Sequence, residues 1–456
     1  AIADVAIENT TLAHTNAYIK NGDQVQVTAT VSDGDPQDLT TADIEADLTG
    51  LGGAAAVHPD TYDAVTGLAT WTIGAPGVTT TPADGTVTVT VSATDGSGNT
   101  TGGDDTIIAD NTKPAPLTGL VAMPGHQKVE LSWDDASAGD THYDGVLLRY
   151  SRWNDYPQYD DSEPVYPDTP AAGVGTAYEG GGTSALHEFD PADRDIYYYA
   201  GFVYDIARNY SDAPGAGENQ DRSTNYWLGD ISGDGEVWTA DISSLGATYY
   251  LTEGQSGFDP ACDVGPTDDG TRLGIPLPDD VVDFDDLMIF AMNFDVVTAD
   301  MMPGEAGGEI VALGEYGSSG LAGSIADVSL SLEMPDQMAV GEEFTVTVHL
   351  TDESAAVQGC RFVVAHDPHA VSFCGASPGG LTGGQVEQRF FKALARENGS
   401  GAAGSFGAAL TDVSVAAIGA EQTFGGSGCL AVLRFRRIGE GPVALRLAEV
   451  QARDTQ

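Results

Sequence analysis

Short runs of alternating apolar and polar residues fill the first quarter of the chain. Val25-Gln26-Val27-Thr28-Ala29-Thr30-Val31 and Thr86-Val87-Thr88-Val89-Thr90-Val91 each carry valine or alanine at every second position. Successive side chains of a strand point to opposite faces, so a period of two predicts antiparallel strands with one buried face. Asp33-Gly34-Asp35-Pro36 and Asp95-Gly96-Ser97-Gly98-Asn99 close these runs with turn-forming residues; turn formation accounts for their carboxylates, and calcium held between modules is the alternative use. A β-sandwich is therefore predicted over 1–112. The proline-marked stretch Asp110-Asn111-Thr112-Lys113-Pro114-Ala115-Pro116 opens a second unit, 113–225. Its strands run through Val129–Trp133, Gly145–Tyr150 and Tyr197–Asp205, with Trp133 and the tyrosines predicted as core. A sugar-stacking surface is the alternative use of such a tyrosine-rich strand.

The period changes between Trp227 and Phe294. Apolar residues stand one, four and eight positions after Asp241 (Ile242, Leu245, Tyr249) and after Asp286 (Leu287, Phe290, Phe294). That spacing is one helical stripe, twice, and it defines a unit over 226–297. A glycine-rich connector, 298–323, follows, in which Glu309–Tyr316 has the composition to add a strand to a neighbour. Alternation returns over 324–456, in Val340–Leu350, Val357–Pro368 and Leu430–Phe435. The fold class is thus mainly β, with serial sandwiches and one small α module. At 456 residues the chain is about three times a usual domain length, which agrees with an array of cores.

Charge narrows the function. The formal net charge is −51, from 69 acidic and 18 basic residues. Phosphate contacts need a basic surface, so nucleic acid is excluded as a partner, and the same repulsion disfavours anionic lipid. No run of about 18 apolar residues is present, so no membrane span is predicted. The chain begins at Ala1 without a charged-then-apolar leader, as expected of a secreted, extracellular or cell-surface protein whose signal peptide or upstream region has been removed. Cys262, Cys360, Cys374 and Cys429 lack metal or redox spacing, and one disulfide near the C-terminus is expected without a defined pairing.

Candidate chemistry lies in the helical unit. Asp230-Ile231-Ser232-Gly233-Asp234-Gly235-Glu236-Val237-Trp238-Thr239-Ala240-Asp241 fits a twelve-residue calcium loop. Asp230, Ser232, Asp234 and Asp241 take positions 1, 3, 5 and 12, and the Glu236 carbonyl takes position 7. Calcium requires six to eight oxygens at about 2.3 to 2.6 Å, and Gly235 permits the turn at position 6. A second loop runs from Asp263 at position 1, through an insertion, to Asp279 at 5, the Val281 carbonyl at 7, Asp283 at 9 and Asp286 at 12. Loop closure grows only slowly with length, so the insertion is affordable. Loop 2 lacks glycine at position 6, so loop 1 is expected to dominate calcium binding.

Two loops, each followed by a short helix and lacking an entering helix, resemble a dockerin. The resemblance implies partner contacts at loop positions 10 and 11, here Thr239-Ala240 and Phe284-Asp285. Residues 1–112 resemble an Ig-like domain and 113–225 a fibronectin type III module. Val340-Gly341, the strand ending in Asp367-Pro368 and the late apolar strand make 324–456 resemble a cohesin, the domain into which dockerins plug. Nine of the basic residues lie in 324–456, whereas 226–297 has fifteen acidic side chains and one arginine. Arg389, Lys392, Arg434, Arg436 and Arg437 are therefore candidates to face an acidic partner.

Enzyme signatures are lacking. No HExxH, Gly-x-Ser-x-Gly or Walker sequence occurs, and His366 and His369 around Asp367-Pro368 read as a turn. The expected function is non-enzymatic: a calcium-stabilised structural or interaction protein, self-assembling through the dockerin-like and cohesin-like modules into a fibre. The alternative is the non-catalytic region of a secreted polysaccharide-degrading enzyme or cellulosome-like scaffold. Expected partners are other copies of the chain or a cognate cohesin or dockerin, with carbohydrate as a third class.

Overall fold

The computed structural model describes residues 1–11, 17–34, 39–79, 84–212, 218–303, 328–335, 337–352, 357–383, 389–396, 409–418, 424, 427–440 and 442–454. The Asp35-Pro36 turn and Glu309–Tyr316 lie outside them.

In the first unit the strands are β1 (Ile2–Asn9), β2 (Tyr18–Ile19), β3 (Val25–Val31), β4 (Ile44–Asp47), β5 (Thr61–Asp63), β6 (Leu68–Ile73), β7 (Gly85–Thr94) and β8 (Thr100–Ala109). They form two four-stranded sheets, ordered β1-β3-β6-β5 and β2-β8-β7-β4. Every second residue of β3 is buried, and these meet Trp71, Val89 and Val91 in one core. The β7–β8 turn is closed by Asp95, which accepts from the Ser97 and Asn99 amides at 2.9 and 2.8 Å. That carboxylate is a turn closure, as its sequence context predicts.

The second unit has β9 (Val121–Gly125), β10 (Lys128–Ser132), β11 (Tyr143–Arg152), β12 (Gly175–Gly180), β13 (Ser184–Glu188), β14 (Ile196–Asp205) and β15 (Gln220–Thr224). Its sheets are β13-β10-β9 and β12-β11-β14-β15. Unlike β3, β14 is buried along its whole length. Tyr197 and Tyr199 pack inside the sandwich with Trp133. Tyr198, on the opposite face, is covered by Tyr159 and by Ile275 from the helical unit. The tyrosine strand is therefore interior on both faces and offers no sugar platform.

The C-terminal unit contains β16 (Val328–Glu333), β17 (Glu343–Asp352), β18 (Val357–His366), β19 (Val371–Pro378), β20 (Arg389–Arg396), β21 (Ala409–Ala417), β22 (Gly428–Arg437) and β23 (Leu445–Asp454). Sheets β16-β17-β22-β19 and β20-β21-β18-β23 enclose a core that includes Val346, Phe362, Val415 and Phe435. All four cysteines are free thiols, which corrects the expected disulfide. Cys374 lies on β19 opposite the Arg434–Phe435 end of β22, whereas Cys429 starts β22 at the end paired with Pro378, so strand register holds them apart. Among the described residues no helix is long and apolar enough to cross a membrane.

Between the second and third sandwiches lie α1 (Thr239–Thr248) and α2 (Phe284–Asn293). Leu245, Leu287, Phe290 and Phe294 are buried in one cluster, as the repeated stripe predicts. The packed body runs past the expected boundary at 297. The Thr298 carbonyl accepts from Trp227 Nε1 at 3.2 Å, and Met301 packs on the same cluster.

Candidate calcium loops and the module contacts around them

Both position-12 aspartates sit three residues into their helices, where the free amides of a helix N-terminus attract a carboxylate. Asp241 accepts from the Trp238 amide at 2.9 Å and from the Ser232 amide at 2.8 Å, tying α1 to the start of loop 1. Asp286 repeats this, accepting from Asp283 at 2.7 Å and from Val264 and Gly265 at 2.7 and 2.8 Å. At position 1, Asp230 takes the amides of Gly233 and Gly235 at 2.8 and 3.0 Å, and Asp263 takes those of Asp279 and Asp280 at 3.3 and 2.8 Å. At position 5, Asp234 accepts from Glu236 at 3.0 Å and Asp279 from Val281 at 3.2 Å.

Four bonds recur in both loops across the insertion: position 12 accepts from positions 9 and 3, position 1 from position 6, and position 5 from position 7. Position 6 explains why glycine is dispensable in loop 2: Gly235 has φ 88° and Asp280 has φ 66°, so the aspartate occupies the left-handed region. Aspartate tolerates that region better than most residues because its short side chain bonds locally.

The insertion folds back on itself. Asp268 donates to the Ile275 carbonyl at 2.9 Å, and Leu277 to the Pro266 carbonyl at 2.8 Å. The resulting tab delivers Ile275 to the outer face of β14, and Arg222 of β15 bonds Asp268 at 3.0 Å. What reads in sequence as damage to a calcium loop is a docking element for the preceding sandwich.

Electrostatics separates the loops. Burial, reinforced by Asp279 and Asp280, pushes Asp263 up to about 7. Burial and then neighbouring aspartates raise Asp279 and Asp283, and raise Asp286 well above the carboxylate range. Among the described residues no cationic side chain forms an ion pair with these four. In loop 1, burial raises Asp230, but Arg194 opposes it. The donor set of both loops is all oxygen, which suits a hard divalent cation. Among the described residues no three His, Cys, Asp or Glu side chains are grouped closely enough to hold a metal, their carboxylates being turned to backbone amides. Calcium, where bound, would be held by Asp230, Ser232, Asp234, the Glu236 carbonyl and Asp241, and by Asp263, Asp279, the Val281 carbonyl, Asp283 and Asp286.

A pH test follows. With calcium chelated, Asp263, Asp279, Asp283 and Asp286 hold protons more tightly folded than unfolded. For Asp263 the contribution is full below the unfolded carboxyl pKa of about 3.9 and is lost as pH rises through about 7, and the other three act in the same direction. Calorimetry in chelator is expected to show the transition of this unit falling from pH 5 to pH 8, with calcium removing the fall. A rise in chelator over that window contradicts the assignment.

The helical unit also lies on the sheet β20-β21-β18-β23. Phe390, Ala416 and Ile418 share one core cluster with α1 and α2, and the Tyr249 and Phe390 rings meet edge-on at 4.9 Å. Tyr250 donates to Asp412 Oδ1 at 2.9 Å, and Arg361 grips both Asp412 oxygens at 3.1 and 2.8 Å. Lys392 donates to the Gly246 carbonyl at 3.1 Å. At Gly359 of β18 a Cβ would lie 2.5 Å from Met288 Sδ and 3.2 Å from Phe284 Cζ, so α2 packs directly against the strand backbone there.

Of the expected partner positions, Phe284 is buried at this contact and Asp285 is half-buried beside it, whereas Thr239 and Ala240 are exposed. Of the expected basic surface, Lys392 takes part. Arg434, Arg436 and Arg437 sit on β22 in the other sheet, with Arg436 paired to Glu343. Arg361, which no local motif marks, is a second cation at the contact.

Fold and site together define a modular chain: β-sandwiches joined through a two-helix, two-loop acidic module seated on the last of them. No protein-family model matches it, and no curated protein matches it. Among solved structures, it is similar to a chain of a type II cohesin–X-dockerin complex from Acetivibrio cellulolyticus, at 12% identity over 28% of this chain and 92% of that one, TM-score 0.24. A cohesin module of a family 33 glycoside hydrolase from Clostridium perfringens is similar at 10% identity over 28% and 89%, TM-score 0.21. A type II cohesin from the adaptor scaffoldin of A. cellulolyticus gives 15% over 27% and 71%, TM-score 0.22.

Proposed function

We propose that this chain is a secreted, non-enzymatic interaction protein whose calcium-stabilised module is a plug for its own C-terminal sandwich, and that exchange of the plug between copies joins chains into a surface fibre. The observation carrying this reading is the single core formed by α1, α2, Phe390, Ala416 and Ile418, with Tyr250, Asp412 and Arg361 along its edge. Ig-like, fibronectin type III-like, dockerin-like and cohesin-like identities for the four units agree with it, the sandwiches serving as spacers. Lack of enzyme motifs in the sequence supports the non-enzymatic role.

A plug tethered beside its socket sees it at an effective concentration of about millimolar, so a closed monomer prevails in dilute solution and exchange wins when chains are crowded on a surface. Sedimentation and electron microscopy across concentration are expected to show monomers giving way to calcium-dependent polymers. Monomers alone at high concentration with calcium present remove the fibre.

A further inference from the structure

Loop 1, with its complete ligand pattern, is the loop that the preceding sandwich covers. Arg194, just before β14, donates Nη1 to the Asp230 carbonyl and Nη2 to Asp230 Oδ2. Asp230 is position 1 of the loop, and the same oxygen accepts from the position-6 amide of Gly235. The guanidinium is held in place. It lies 5.3 Å from the Tyr226 ring centroid and 6.0 Å from that of Tyr156, bonds the Tyr156 hydroxyl at 3.3 Å, and is 14% exposed. His126 stands 3.7 Å from Asp230 Oδ2. A Cβ at Gly235 would lie 2.7 Å from His126 Cγ, so the loop is seated against this sandwich. Loop 2 differs: its insertion carries the sandwich contact away on Ile275 and Asp268, and its four carboxylates keep no paired cation among the described residues. Arg361 acts on Asp283 only at a distance, being bonded to Asp412 and Glu449.

We propose that Arg194 is the resident cation of loop 1, so that the divalent ion is bound first and most tightly by loop 2. This rests on the calcium reading and inverts the order that loop sequence alone predicts. A fixed positive charge on the position-1 carboxylate offsets part of the attraction a divalent ion would find there and repels the ion directly. It also keeps loop 1 folded without the ion, since the carboxylate repulsion that a metal normally relieves is already relieved. Loop 1 thus couples the sandwich of 113–225 to the helical unit, and loop 2 senses the ion.

Calcium titration of the full chain by calorimetry tests this. The two position-5 residues, Asp234 and Asp279, are both exposed, which makes their asparagine variants compatible with folding. Asp279→Asn is expected to abolish the tighter binding event, and Asp234→Asn to leave it unchanged. Arg194→Gln is expected to tighten the weaker event by about 10-fold or more, while Arg194→Lys, which keeps the charge, stays near wild type. Loss of the tighter event in Asp234→Asn with its survival in Asp279→Asn overturns the assignment, whether or not the Arg194 variants fold. So does a folded Arg194→Gln chain, by near-ultraviolet circular dichroism, whose weaker event is unmoved. Complete absence of calcium binding overturns the calcium reading with it, whereas binding led by loop 1 overturns only the role of Arg194.

Discussion

Chelating calcium from the full chain is expected to lower the melting transition containing residues 226–301 by about 10 °C, leaving the N-terminal sandwich unmoved. The size follows from linkage. A ligand at a thousand times its dissociation constant stabilises the folded state by about 4 kcal/mol per site, and in a cooperative unit of about 150 to 250 residues each kcal/mol moves the midpoint by about 2 to 4 °C. The unit is that large because the helices share a core with the C-terminal sandwich and the loop 2 tab shares one with the second sandwich. The first sandwich has its own core, with no residue of the helical unit in it. Scanning calorimetry with calcium and with chelator measures the shift. An unchanged profile removes the calcium assignment.

Asp412→Ala is expected to cost about 3 to 5 kcal/mol and to release the helical unit from its socket. Asp412 is buried, and it holds Arg361, whose side chain is 12% exposed, and the Tyr250 hydroxyl. Removing one partner of a buried pair leaves the other charge desolvated and uncompensated, which is more damaging than replacing both. Arg361 retains only the half-exposed Glu449. Small-angle scattering should register a longer particle, and calorimetry a C-terminal sandwich melting apart from the helices. The double change Asp412→Ala with Arg361→Met should recover part of the loss. A compact Asp412→Ala chain with wild-type melting would show that apolar contacts alone hold the plug.

Much of the local architecture was legible in the chain. The run from Val25 to Val31 gave its buried face correctly because a strand alternates regardless of its partner. The twin stripes after Asp241 and Asp286 gave the helices, and the residues counted back from Asp286 meet across the insertion through backbone amides bonded to Asp263 and Asp279. Asp280 at position 6 looked like a defect because left-handed conformation is read from glycine, yet aspartate adopts it there.

Other judgments failed for want of distant partners. The tyrosines of β14 could be placed as core, but nothing local announces that Tyr198 needs a second cover. The basic surface was assigned to Arg389, Lys392, Arg434, Arg436 and Arg437 by density of charge; of these Lys392 reaches the helical unit, and Arg361, outside that set, pairs with Asp412 beside it.

Strand and helix periods, turn closures and the acidic spacing of loop 1 were determined by sequence alone, because each depends on residues within about a dozen positions. Tertiary structure alone decided what surrounds those loops. Arg194 meets Asp230 across 36 residues, Arg361 meets Asp412 across 51, and Tyr250 meets Asp412 across 162. Spacing along the chain carries no record of such meetings. They arise when the buried faces of separate units close on one another, and that closure places a compensating charge beside loop 1 and, among the described residues, none on the carboxylates of loop 2.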